Sequence, residues 1–321
     1  MQSVLIYFPS EAYPLTAYKD EELGLCLVPT NKLNPYTRYY RPQFATAFIH
    51  YDKIIDIEKT KNLLKDLIIF KSFLYKNYWL NMWYSQYHIL SQAESVNNIS
   101  SIDNLIKSIC VPHPKDGHTV DYSKYKLLEL ISKPVTVDFF PLFRKYVSLT
   151  NSKKDSQLRR LIELFSFASS SVNVNRLYRN EYFSISVYFI ILEVLVKDKI
   201  KNNRKVVLCP NPNCGYEKKE DRPIKELISE YILTSDLIHP DEIIIIEKLL
   251  HKFADVRNFF FHSGRMVNQD LMFERVKQLK GSVSFNNLDD IDIADGTVMG
   301  IWTMQTFVRR VLLDELEKYP N

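Results

Sequence analysis

The spacing of apolar residues changes its period near residue 56, and this change constrains the fold more than any other feature. Before it, the segments SVLIYF, LGLCLV and YRPQFATAFIHY are separated by proline and turn residues, which predicts short strands. From Asp56 onward, apolar residues recur about every 3.6 positions with lysines on the other face, which predicts a long amphipathic helix. The chain therefore begins with an irregular, partly β segment and continues in helices.

The polar stretch NSKKDS at 151–156 is the predicted domain boundary, because the sequence after it has helical spacing apart from three loops. The helices expected there span 155–170, 180–197, 222–234, 240–262 and 296–318, with a minor helix at 269–279. The predicted fold class is therefore mainly α. An α+β domain of unknown role would occupy residues 1–150, and an all-α bundle would occupy residues 151–321.

Composition excludes several classes of protein. The 321 residues are 46% hydrophobic and 25% charged, which is typical of a globular chain. The formal net charge of +4 permits an anionic partner without requiring one. The seven glycines include no pair with phosphate-loop or dinucleotide-fingerprint spacing, which argues against an NTPase or a Rossmann enzyme.

Membrane insertion and secretion are not expected. The longest largely apolar stretch, YFSISVYFIILEVLV, has fifteen residues and contains Glu193, and the first residues lack a basic leader. Four cysteines are too few for a disulfide framework in a chain of this length, which favours a reducing compartment. The expected location is the cytoplasm, with no membrane partner.

The stretch DVRNFFFHSG carries the clearest chemical pattern in the chain. Arg257 and Asn258 precede His262 by five and four residues, and Ser263 and Gly264 form a plausible helix C-cap. On an ideal helix, Asn258 and His262 would lie about 40° apart. Arg257 and His262 would be separated by about 140° and by about 7.5 Å along the axis. Asn258 could therefore orient the imidazole, and Arg257 could reach a shared site through its length.

These residue types suit cleavage of RNA without a metal. That reaction needs a base for the 2′-hydroxyl proton, an acid for the leaving 5′-oxygen and a cation for the phosphorane charge. A histidine titrates near neutrality, and an arginine matches phosphate oxygens. One helix supplies only one histidine, so this chemistry predicts a homodimer in which two copies of the motif share a cleft.

The bare Arg-x4-His pair would occur about 0.3 times by chance, and about 0.05 times with Asn, Asp or His after the arginine. The motif RNFFFH resembles the signature of HEPN domains (higher eukaryotes and prokaryotes nucleotide-binding). The trailing HSG and the earlier helix SISVYFIILEVLV resemble the Apea-like HEPN branch most. The resemblance covers about residues 155–318, and the six-residue motif is its specific part.

The resemblance implies a metal-independent endoribonuclease in which Arg257 and His262 are the catalytic pair and Asn258 is the polar third member. It also implies a toxin or antiviral effector that cleaves RNA and is restrained by an antitoxin, a regulatory partner or the N-terminal domain. No cofactor would be required for catalysis. The alternative is an inactive HEPN module that serves as a nucleotide-binding or protein-interaction scaffold.

Two further features belong to the helix predicted at 180–197. RNEYFS at 179–184 imitates the first half of the motif but has Ser184 in place of the histidine, so Arg179 and Asn180 are interpreted as the first residues of a helix. Glu193 lies in an apolar helix and is expected to be paired. Its candidate roles are a structural partner for an arginine such as Arg257 and a supporting acid at the site.

The segment LCPNPNCG places Cys209 and Cys214 in a turn with four residues between them, like half of a zinc knuckle. A structural zinc needs four ligands. The other clustered candidates are Cys110, His113 and His118 in CVPHPKDGH, so a bipartite site joining these segments is one hypothesis. A tight loop with two free thiols is the other.

Overall fold

A computed structural model of the chain divides into two compact units. The first comprises residues 1–128, 134–174 and 314–321, and the second comprises residues 129–133 and 175–313. The residues that the structure describes are 2–9, 13–14, 17–33, 44–74, 94–96, 101–111, 119–120, 125–127, 135–137, 139–150, 153–174, 179–199, 204–208, 211, 214, 216–234, 254 and 296–319.

The first unit mixes short strands with four helices in its described part. In chain order its elements are β1 (Gln2–Pro9), β2 (Tyr13–Pro14), β3 (Tyr18–Asp20), β4 (Leu25–Leu33), β5 (Phe44–Asp52), α1 (Ile57–Leu74), β6 (Glu94–Val96), α2 (Ile102–Ile109), β7 (Thr119–Val120), β8 (Tyr125–Leu127), β9 (Val135–Val137), α3 (Phe139–Ser148) and α4 (Lys153–Val174). Strands β2 and β7 form a short parallel pair, and β8 and β9 form a short antiparallel pair.

A five-stranded antiparallel sheet organises this unit, with the strand order β3-β4-β5-β1-β6. Strand β1 pairs along its whole length with β5, from Gln2 opposite Asp52 to Pro9 opposite Ala45. The turn between β3 and β4 ends at Gly24, whose φ of 62° is in the left-handed region that favours glycine. The carbonyl of Gly24 accepts a hydrogen bond of 2.8 Å from the Tyr51 N–H.

Alternation along the strands sends apolar side chains to both faces of the sheet. On one face, Leu5, Cys26 and Ile49 pack with Ile102 and Leu105 of α2. On the other face, the strands meet α1 and α3: His50 of β5 contacts Thr60, and Tyr18 of β3 stacks on Phe140 at 3.5 Å between ring centroids. The sheet is therefore covered by helices on both sides.

An aromatic cluster joins α1 to α3 and α4. The Phe70 ring lies 5.2 Å from that of Tyr146, 5.6 Å from that of Phe139 and 5.7 Å from that of Phe143, measured between centroids. The next aromatic residue of α1, Phe73, meets Phe165 of α4 edge-on at 5.6 Å. Aromatic pairs at these separations contribute about 0.5–1.5 kcal/mol each beyond the burial of their surface.

The second unit combines helices with a small β ribbon. Its described elements are α5 (Arg179–Lys199), β10 (Arg204–Leu208), β11 (Glu217–Asp221), α6 (Ile224–Thr234) and most of α7 (Gly296–Glu317), whose residues from Asp314 onward belong to the first unit. Helix α6 starts just after Pro223, whose carbonyl accepts hydrogen bonds from the N–H groups of Glu226 and Leu227. Helices α5 and α6 pack against each other.

Four predicted helices are confirmed within four residues at each end. The predictions at 155–170, 180–197, 222–234 and 296–318 correspond to α4, α5, α6 and α7. The predicted helices at 240–262 and 269–279 lie outside the described residues, apart from Ala254, which is helical. In the part of the chain that the structure describes, no helix is long and apolar enough to cross a membrane.

The prediction of a mainly α fold with an all-α C-terminal bundle is wrong. The described residues combine seven helices with the five-stranded sheet and, in the second unit, with the antiparallel ribbon β10–β11. The prolines and asparagines between α5 and α6 predict a loop there. The β-branched Val206 and Val207 of this segment instead pair with Lys219 and Lys218 in the ribbon. The α+β character predicted for the N-terminal part agrees with the sheet.

Candidate functional site

The predicted catalytic residues Arg257, Asn258 and His262 lie outside the described residues. In sequence they fall between α6, which ends at Thr234, and α7, which begins at Gly296. Their arrangement on a helix, and the roles assigned to them, stay predictions from the motif.

The predicted supporting acid Glu193 lies on α5, and its side chain is 19% exposed. The Nζ of Lys197, one turn later, donates a hydrogen bond of 2.8 Å to its Oε1. A glutamate four residues before a lysine is the favourable order of charges along a helix. The described salt bridge of Glu193 is thus with a lysine of its own helix, and a role beside Arg257 stays a prediction.

The half-motif RNEYFS begins α5. The helix starts at Arg179, which confirms the interpretation of Arg179 and Asn180 as its first residues. Ser184, which stands where the motif has histidine, is fully buried. This position therefore belongs to the packing of the helix.

The five candidate zinc ligands are described only in part, since Cys209, His113 and His118 lie outside the described residues. Cys110 caps α2, where its N–H donates to the Ile106 carbonyl at 2.8 Å, and its side chain is half-buried against the cluster under the sheet. Cys214 is exposed, and its N–H donates to the Asn211 carbonyl at 3.0 Å. Within the described residues, no group of three His, Cys, Asp or Glu side chains could hold a metal ion. The zinc site stays a prediction.

A charged cluster that the sequence analysis missed joins α1, α3 and α4 in the first unit. The Nη2 of Arg159 donates to the Asp66 carboxylate at 2.5 Å, and its Nε donates to Glu163 at 3.1 Å. The Tyr146 hydroxyl donates to the same Glu163 oxygen at 3.4 Å, and its ring centroid lies 5.1 Å from the guanidinium carbon. One arginine therefore joins three helices.

Burial controls the titration of this cluster. It raises the pKa of the Asp66 carboxyl, and the neighbouring Arg159 opposes this effect without cancelling it. It also raises the pKa of the Tyr146 phenol, with further contributions from Asp66 and Glu163. Because Asp66 and Glu163 both bind Arg159, the arrangement suits a structural clamp better than a catalytic base. The sequence signal was present: Asp66 interrupts an apolar run, and Arg159 precedes Glu163 by one helical turn.

His50 is held in the core beside the start of α1. It is 3% exposed, and its Nδ1 lies 2.7 Å from the Thr60 Oγ1. The single hydroxyl proton of Thr60 is donated to the Asp56 carbonyl at 3.0 Å, so Nδ1 must carry the proton between His50 and Thr60. Burial, and then the charge of Lys59, lower the pKa of this imidazole. His50 is therefore a core histidine with a hydrogen-bond partner, which fits a structural role.

Arg309 of α7 is a second feature that the sequence analysis missed. It is 1% exposed, between the buried residues Val308 and Val311. Arginine stays charged at any ordinary pH. A fully buried guanidinium therefore needs polar partners, and loss of those partners lowers the stability of the fold. In the sequence, the signal for this buried charge was the two consecutive arginines inside the apolar run VRRVLL.

Comparison of the chain with protein-family models, with curated proteins and with solved structures found no match in any of the three.

Proposed function

We propose that the chain is a metal-independent endoribonuclease of the HEPN type that acts as a homodimer. The observation that carries the proposal is the motif Arg257-Asn258-x3-His262, followed at once by Ser263 and Gly264. The proposal depends on the chemistry of these side chains and not on an all-α fold.

In the proposed reaction, His262 of one copy removes the proton from the 2′-hydroxyl, and the 2′-oxygen attacks the adjacent phosphorus. The bond from phosphorus to the 5′-oxygen then breaks, and His262 of the second copy donates a proton to that oxygen. Arg257 neutralises the charge that develops on the phosphorane, and Asn258 orients the imidazole. The products are a 2′,3′-cyclic phosphate end and a 5′-hydroxyl end, and no metal takes part in the chemistry.

The proposed partners are RNA, a second copy of the chain, and an antitoxin or another regulatory partner. An unrestrained ribonuclease would be toxic, which is why a toxin or an antiviral effector fits the chemistry. The described cysteines, Cys26, Cys110 and Cys214, are free thiols, which is compatible with the proposed cytoplasmic location. A structural zinc at Cys209, Cys214, Cys110 and His113 remains a separate proposal, and metal analysis of the purified protein would test it.

Cleavage of labelled single-stranded RNA in EDTA tests the catalytic proposal. We expect the unaltered protein to give cyclic-phosphate ends. His262→Ala removes the general base and acid, and Arg257→Ala removes the cation for the phosphorane charge, so each variant should lose at least about 100-fold in rate. Arg179→Ala is the matched control, because it removes an arginine that is also followed by asparagine but has Ser184 in the histidine position.

Circular dichroism of each variant separates loss of folding from loss of catalysis. Growth arrest on expression that His262→Ala relieves would support the same conclusion in cells. If all variants cleave at the rate of the unaltered protein, the cleavage has another origin. If the unaltered protein leaves RNA intact in the presence of cell extract as well, a scaffold role replaces the enzyme.

A further inference from the structure

The ribbon β10–β11 exposes apolar side chains to an unusual degree. Val206, Leu208 and the nearby Tyr216 are 52%, 66% and 62% exposed. Arg204 and Lys205 are exposed too, so neither face of β10 is buried. Within the described residues, the ribbon has no third strand. A two-stranded ribbon is marginally stable alone in water, which indicates that this one gains stability from a further contact.

The two strands of the ribbon differ in how well their edges are protected. Strand β11, EKKED, consists of charged residues only, and a charged edge strand resists pairing with another chain. Strand β10, RKVVL, ends in three apolar residues, two of them β-branched, and has no proline. An exposed edge of this composition is a template for strand addition. The edge suited to pairing is therefore that of β10.

We propose that β10 is the docking edge for a second copy of this chain, through antiparallel pairing of β10 with β10 about a two-fold axis at Val206. Pairing of two ribbons in this way produces a four-stranded sheet with the charged β11 strands on the outside. The contact is self-complementary, as a two-fold interface requires.

The charges along β10 favour a second copy of the chain as the partner of this strand. With Val206 on the axis, Arg204 of one copy lies opposite Leu208 of the other, and Lys205 lies opposite Val207. No two like charges are directly opposed. Self-pairing through β11 would place Lys219 opposite Lys219 and Glu217 opposite Asp221. Like charges that are directly opposed destabilise the pairing of two strands.

The apolar side chains also fit this register. Val206 and Leu208 are two positions apart, so both point to the same face of the strand. In the paired sheet, Val206 faces Val206 of the second copy and lies diagonally next to its Leu208. Cross-strand and diagonal neighbours of this kind are the contacts that stabilise sheets, and they would cover the side chains that a single copy leaves exposed.

This inference rests on the proposed function only in its link to catalysis, which needs two copies of the motif. Its own observations concern the ribbon alone. Measurements of mass without RNA therefore test the docking edge, whereas the cleavage assay tests the enzyme. A dimer that cleaves RNA and that Val206→Lys leaves intact would overturn the docking edge alone, and a Val206-dependent dimer that leaves RNA intact would overturn the enzyme alone.

The first experiment measures the mass of the full chain by sedimentation equilibrium at several protein concentrations. We expect twice the chain mass of 37.9 kDa. Val206→Lys places like charges on the axis and should weaken dimerisation about tenfold or more. Lys219→Ala is the matched control, because Lys219 is the partner of Val206 on β11, the strand on the outside of the proposed four-stranded sheet. Circular dichroism confirms that each variant is folded.

The second experiment introduces a cysteine at the axis, in a chain whose Cys209 and Cys214 are replaced by serine. Directly opposed Cβ atoms in an antiparallel pair lie about 4.5–5.5 Å apart, close enough for a disulfide to form with a small adjustment. Val206→Cys should therefore cross-link two copies under mild oxidation, and Lys219→Cys should not. Peptide mapping locates the link at position 206.

A monomeric unaltered protein would overturn the proposal, and so would a dimer that Val206→Lys leaves intact and Val206→Cys fails to link. A monomer whose binding to labelled single-stranded RNA is lost in the Arg204→Glu/Lys205→Glu variant would also overturn it and would assign the ribbon to RNA contact.

Discussion

The clamp formed by Arg159 leads to a quantitative expectation for the stability of the first unit. Replacement of Arg159 by methionine keeps much of the aliphatic volume but removes the cation that pairs with Asp66 and Glu163. The side chains of Asp66 and Arg159 are only 12% and 21% exposed. Asp66 would therefore be left as a nearly buried carboxyl group without its cationic partner.

The size of the effect follows from this burial. Removal of one partner from a buried ion pair costs about 3–5 kcal/mol, and an exposed pair contributes about 0–1 kcal/mol. Because both groups keep some contact with water, we expect Arg159→Met to cost about 3 kcal/mol of the free energy of unfolding. The ion pair between Arg159 and Glu163, whose side chain is 38% exposed, accounts for a small part of this loss in free energy of unfolding. Glu163→Gln should cost about 0.5 kcal/mol.

The cost should depend on pH. Burial already raises the pKa of Asp66, and loss of Arg159 removes the main opposing charge, so the folded variant holds this proton to a higher pH than the unfolded chain does. The folded state then binds more protons than the unfolded state, and the free energy of unfolding falls as pH rises through that window. Arg159→Met should therefore be less destabilising at pH 5 than at pH 8.

Urea unfolding followed by circular dichroism measures these differences, with Asp66→Leu and the double variant Asp66→Leu/Arg159→Met completing a cycle. We expect the double variant to recover most of the loss, because no buried charge is left unpaired. A cost below about 1 kcal/mol for Arg159→Met, or a double variant as unstable as the single one, would refute the reasoning.

Changes at four further positions test other parts of the first unit by urea unfolding. Thr60→Val removes the acceptor for His50 and should cost about 1–3 kcal/mol, whereas Thr60→Ser should be nearly neutral. Because burial lowers the pKa of His50, the unfolded chain binds more protons just below the usual value of 6.5. Stability should therefore fall as pH drops through that value, and His50→Gln should remove this dependence. Gly24→Ala should cost about 2 kcal/mol or more of the free energy of unfolding, because the new Cβ would lie 2.4 Å from the Tyr51 carbonyl oxygen at a left-handed φ. An unchanged urea midpoint for this variant would contradict that geometry. Phe70→Ala should cost about 3–5 kcal/mol by opening a cavity among aromatic rings, and an equal loss in Phe70→Leu would argue against the cavity.

Local pattern predicted the helices well and the ribbon poorly. Helices α4 to α7 have apolar residues at helical spacing and polar boundaries, and these signals lie within each segment. Strands β10 and β11 are five residues each, and β11 has no apolar residue. Such a strand has no periodic signal of its own, because it is defined by its partner across the turn.

The candidate functional residues also differ in how far the sequence alone predicts them. The motif at 257–262 can be identified because its residues are close in sequence and their chemistry is specific. The cluster of Asp66, Arg159 and Tyr146 could not be assembled from sequence, since 93 residues separate the aspartate from the arginine. The sequence shows one charge within an apolar run but does not show which distant charge compensates it.

The sequence by itself determined the first strands and the long helix that follows them from Ile57, the positions of four later helices and the residue chemistry on which the ribonuclease proposal rests. Only the tertiary structure decided that β1 and β3 to β6 form one antiparallel sheet with helices on both faces, that Arg159 joins three helices, and that an exposed ribbon follows α5. Periodicity and side-chain chemistry are local properties of the chain. Strand pairing and the compensation of buried charges depend on contacts between residues far apart in sequence, and the folded packing alone selects them.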